Sequence, residues 1–88
     1  MPDKMIPLNS FTYPMDAYLL RAKLEMNGIA CELRNEHIVA MNWFYANSVG
    51  GIVVEVAASD FKQAYDLVFD ADGKYVLNTD DLSLEEEE

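Results

Sequence analysis

With Cys31 as its sole cysteine, the chain can build no internal disulfide framework, and that scarcity fits a reducing compartment. Basic residues are also few. Six Lys and Arg stand against 16 Asp and Glu, for a formal charge of −10. Such a chain repels a polyanion, because nucleic-acid affinity rests on clustered Lys and Arg, so no DNA or RNA partner is expected. No apolar run approaches the roughly 18 residues that a membrane-spanning helix needs, so no membrane partner is expected. The opening Met-Pro-Asp-Lys lacks the basic and then apolar profile of a secretory signal. A cytoplasmic location is the resulting expectation.

What is present is ordinary for a small globule: 88 residues, 51% hydrophobic and 25% charged. At this length a chain buries about 60 to 65% of its unfolded surface, enough for one core. Asp80, Asp81 and Glu85 to Glu88 supply six of the negative charges, leaving 10 acidic and 6 basic groups in residues 1–79. The reading is one domain over 1–79 and a disordered, self-repelling acidic tail over 80–88.

Along the chain, Met5 to Phe11 reads as a strand with Ile6 and Leu8 on one face. Pro7 has no backbone donor and calls for an edge or a bulge there. Pro14 suits the first position of a helix running to Asn27, Asp16 favours its positive dipole end, and Gly28 supplies a left-handed stop. Ile29 to Arg34 alternates with Ile29, Cys31 and Leu33 inward. Ile52 to Ala57 is a β-branched strand with Ile52, Val54 and Val56 inward, and Glu55 can pair across strands with Arg34. Ser59 is a good cap for a second helix, whose Phe61, Ala64, Tyr65 and Val68 form one stripe. Asp72-Gly73 makes a turn into a short final edge strand, Lys74 to Leu77.

The resulting fold class is α+β, in the ferredoxin-like order β-α-β-β-α-β: two helices on one face of a four-stranded antiparallel sheet. The opposite face, with Met5, Pro7, Glu32, Arg34, Val53 and Glu55, has no helix to cover it.

Ala17, Leu24-Glu25, Gly28-Ile29, Arg34-Asn35-Glu36, Gly51 with its valine strand, and Ser59-Asp60 with Ala64 resemble a small bacterial domain family of prokaryotic signal transducing proteins. The resemblance covers roughly residues 5–69. It implies a ferredoxin-like fold related to the GlnB-type nitrogen regulators, and no particular reaction, ligand or catalytic residue. GlnB-type proteins grip nucleotide phosphates with basic residues, whereas residues 35–57 hold no Lys or Arg.

Two features invite a functional reading. Helix one carries two apolar seams: Ala17, Leu20 and Leu24, and nearly opposite them Met15, Leu19, Ala22 and Met26. One faces the sheet. The second either packs within the chain or forms a self-association surface, and methionines suit adaptable contacts, so a homo-oligomer is expected. The 35–50 connection is long for a hairpin link, with helical spacing at Ile38, Met41, Asn42 and Tyr45. It either closes the open end of the core or offers Asn35, Glu36, His37, Trp43, Phe44 and Tyr45 as a surface for a ligand or protein partner. His37 has no second histidine to make a metal site, and no phosphate-cradling loop or placed carboxylate dyad is evident. Neither catalytic residues nor a cofactor are expected. The chain reads as a non-enzymatic regulatory or protein-interaction module acting in signal transduction; the alternative is a small-ligand sensor with its pocket under residues 35–50.

Overall fold

The computed structural model describes residues 4–41 and 50–77. The triplet Trp43, Phe44 and Tyr45 and the acidic tail expected over 80–88 lie outside the described residues.

Strand β1, Met5–Phe11, leads into helix α1, Pro14–Met26. Pro14 sits in the first turn as expected, and the helix ends on Gly28, at φ 79°. The Gly28 amide donates to the Glu25 carbonyl at 3.0 Å and the Ile29 amide to the Leu24 carbonyl at 2.9 Å. These two bonds satisfy carbonyls that the helix end would otherwise orphan. They also set Ile29 against Leu24, both buried in the core. Ile29 is therefore spent on the helix stop, and strand β2 is shorter than its alternation suggests, Cys31–Arg34.

A short helix α2, Glu36–Met41, follows. Strand β3, Ile52–Ala57, then leads through a single 3-10 turn, Ala58–Asp60, into helix α3, Phe61–Val68. Ser59 lies inside that turn, and Asp60 takes the N-cap position expected of Ser59.

The sheet among the described residues has three strands in the order β1-β3-β2, with both neighbouring pairs antiparallel. Lys74 to Leu77 does not form the expected fourth strand. Tyr75 makes one isolated antiparallel bridge, with Phe69. The cause is local: the Asp70 carboxylate accepts the amides of Asp72 and Lys74, each at 2.9 Å. The tight turn this creates folds the chain back on the exit of α3, where the Val76 amide donates to the Val68 carbonyl at 2.7 Å. Hydrogen bonds made there are not made to β1.

Pro7 marks a bulge, as its missing donor suggests. Pro7 pairs with Glu55 and Asn9 with Val54, so Leu8 is the extra residue. Leu8 is buried in the core, and beyond it the phase of β1 shifts, setting Phe11 opposite Ile52 on the helix side. Ile52, Val54 and Val56 are all fully buried there with Ala17, Leu20, Leu24, Val39, Ala64 and Val68.

On the outer face Arg34 reaches Glu55 at 3.4 Å, the pair expected from the strand pattern. Exposed ion pairs of this kind contribute little, but Glu32 stands directly opposite Glu55 and the guanidinium offsets that like-charge pairing. Val53, expected to be bare, is only 8% exposed, flanked in register by Ser10 and Arg34.

Candidate functional site

The end of β2 and the start of α2 bring together the polar groups of the 35–50 region. Asn35 has φ 70°, a left-handed backbone that Asn tolerates better than most residues. Its Nδ2 donates to the Gly51 carbonyl at 3.1 Å, tying the two ends of the long connection together. Gly50 and Gly51, at φ 83° and 82°, complete a left-handed border on the far side.

Glu36 opens α2, where a carboxylate complements the helix dipole. Its Oε2 accepts the Tyr18 hydroxyl at 2.8 Å. The Arg21 guanidinium lies 5.1 Å from the centre of the Tyr18 ring, within cation-π range. The bond to Glu36 raises the Tyr18 phenol above its ordinary value, desolvation and the Glu36 charge add to the rise, and Arg21 opposes it. Half-buried Tyr18 and Arg21 thus form a flank of α1 that receives α2. His37 points to solvent, and Val39 is buried between the elements below.

Asn35 and Glu36 are therefore brought into one cluster and His37 is left outside it; Trp43, Phe44 and Tyr45 lie outside the described residues. The sequence reading missed Tyr18 and Arg21. Their i, i+3 spacing on a helix was a usable signal for a ring-guanidinium pair, whereas the 18-residue separation from Glu36 hid the third member.

The second candidate surface is the outer seam of α1. Ala17, Leu20 and Leu24 face the sheet fully buried, while Met15 and Met26 are 63% and 54% exposed on the opposite side. Leu19 and Ala22, between them, are half-buried.

Among the described residues no group of three His, Cys, Asp or Glu side chains could hold a metal ion, and no helix is long and apolar enough to cross a membrane. Cys31 is half-buried on β2. Desolvation, helped by the Glu25 charge and opposed by Arg21, pushes its thiol up to about 11. The thiolate is the reactive form, so alkylation of native Cys31 by iodoacetamide at pH 8 should run about 100-fold slower than that of an ordinary thiol whose value is 9.0. The rate should rise steadily up to pH 10. A native rate equal to that of the urea-unfolded chain would contradict this burial.

No protein-family model, curated protein or solved structure matches the chain.

Proposed function

We propose that this protein is a non-enzymatic regulatory or protein-interaction module that self-associates through the outer seam of α1, acting in cytoplasmic signal transduction. The observation that carries the reading is the two-sided helix: Met15 and Met26 stand in solvent directly opposite the seam that fills the core. Two long, unbranched side chains on one exposed line, with half-buried Leu19 and Ala22 between them, suit a helix-to-helix contact between copies. The antiparallel order β1-β3-β2 is also that of three strands of a ferredoxin-like sheet, which supports kinship with the prokaryotic signal transducing family and its GlnB-like relatives.

Light scattering at high micromolar concentration should give a mass above the 10.0 kDa of one chain. The double variant Met15→Glu, Met26→Glu should scatter as monomer with an unchanged circular dichroism spectrum, because facing carboxylates would be desolvated together in the contact. Wild-type protein that stays monomeric throughout overturns the proposal.

A second reading, a small-ligand sensor with its pocket under residues 35–50, draws on the convergence of Tyr18, Arg21, Asn35 and Glu36 at the start of that segment. A ligand at 100 times its Kd stabilises the folded state by about 2.7 kcal/mol, which in a domain of this size moves Tm by roughly 10–20 °C. A thermal-shift screen with nucleotides, amino acids and metal ions should contain such a hit if the sensor reading holds. A flat screen counts against it.

A further inference from the structure

Helix α2 is held to the body of the protein in an unusual way for so short an element. Six residues make under two turns, too few for the helix to be stable by its own hydrogen bonds. Among the described contacts, the Tyr18 hydroxyl donates to Glu36 at 2.8 Å and Val39 is buried in the core, while the Val39 amide donates to the Asn35 carbonyl at 3.1 Å within the helix's own first turn. At the base, the Asn35 amide group is fastened to Gly51, whose own position is fixed against Phe11. The flanking backbone is left-handed at Asn35, Gly50 and Gly51, with open space around Gly50.

We propose that α2 is a latched element: it unfolds locally beyond Asn35, with the Tyr18–Glu36 hydrogen bond as the latch, while the sheet and the two longer helices stay folded. Opening withdraws Val39 and uncovers apolar surface where α2 packs between α1 and β3. The inference does not depend on self-association through Met15 and Met26, which lie on a different side of α1 from Tyr18 and Arg21. Tyr18 is a positioning residue here. Tyr18→Phe removes the hydroxyl and keeps the ring that the Arg21 guanidinium lies over, so the variant isolates the latch.

Amide hydrogen exchange reads this directly, since local opening and global unfolding expose different sets of amides. In the wild type, exchange at Val39 should be nearly insensitive to low urea, whereas exchange at Val54 and Val56 should climb with urea as global unfolding does. Tyr18→Phe should speed exchange at Val39 about two- to tenfold, the range for a lost ordinary hydrogen bond that water can partly replace, with Val54 and Val56 much less affected. Glu36→Gln keeps an acceptor oxygen and should fall between the two. Equal acceleration at Val39, Val54 and Val56 would overturn the proposal by showing that the bond stabilises the whole fold. An unchanged Val39 rate in both variants would overturn it by showing that the bond is no latch.

Discussion

Leu20→Ala should lower the free energy of unfolding by about 2–5 kcal/mol, the range for deleting a fully buried leucine side chain and leaving a partly collapsed cavity. Domains have only about 5–15 kcal/mol in total, so the variant should melt far below the wild type. Leu20 has no exposed surface and belongs with Leu24, Ile52 and Val54 to the buried core of the described residues. Met15→Ala, on the same helix, should change stability by no more than about 0.5 kcal/mol, because a methionine that is 63% exposed contributes little to its own monomer. Urea titrations followed by circular dichroism should be run at low micromolar concentration, where association contributes least. Equal losses for the two variants would mean that the seams have been assigned to the wrong sides.

Gly51→Ala should cost about 3 kcal/mol or more, a drop in Tm of roughly 12–24 °C, and should be clearly worse than Gly50→Ala. Both glycines have positive φ, so each alanine carries the left-handed penalty of about 1–2 kcal/mol. They differ in their surroundings. A Cβ on Gly51 would lie 2.7 Å from the Phe11 carbonyl oxygen and 3.2 Å from its carbon, whereas one on Gly50 meets nothing within 4 Å. The Phe11 carbonyl belongs to the backbone and cannot swing aside like a side chain, so the ends of β1 and β3 must separate. The difference between the two variants in thermal unfolding measures that separation. Equal losses would show that Phe11 and Gly51 do not approach closely.

The patterns most legible in the sequence are those written in a few consecutive residues. The stop at Gly28, the bulge by Pro7, the inward set Ile52, Val54 and Val56, and the Ala64 and Val68 stripe of α3 all follow from periodicity and from the backbone limits of Gly and Pro. Lys74 to Leu77 was misleading because an apolar run states a preference for extended chain and not which neighbour will accept its hydrogen bonds. One carboxylate, Asp70, decides that by gathering two amides. Val53 lies on the outer face, as its alternation predicts, in register with Ser10 and Arg34, yet it is nearly buried, which alternation alone does not state. The candidate site was legible only as a location. A long connection with Asn35 and Glu36 at its mouth could be marked, but their partners Gly51 and Tyr18 lie 16 and 18 positions away and declare nothing by spacing.

The same distance from sequence logic gives the bulge in β1 a meaning beyond the strand. Phe11 meets Tyr75 edge to face at 5.6 Å, Tyr75 meets Phe69 at 5.7 Å, and Phe69 stacks on Tyr65 at 4.4 Å. This chain of rings fastens the end of the described polypeptide to its beginning, and it exists because one surplus residue rotates Phe11 inward. Pairing the same residues without the bulge would set Ser10 opposite Ile52 in its place, so the joining of the two ends depends on strand register rather than on any one side chain.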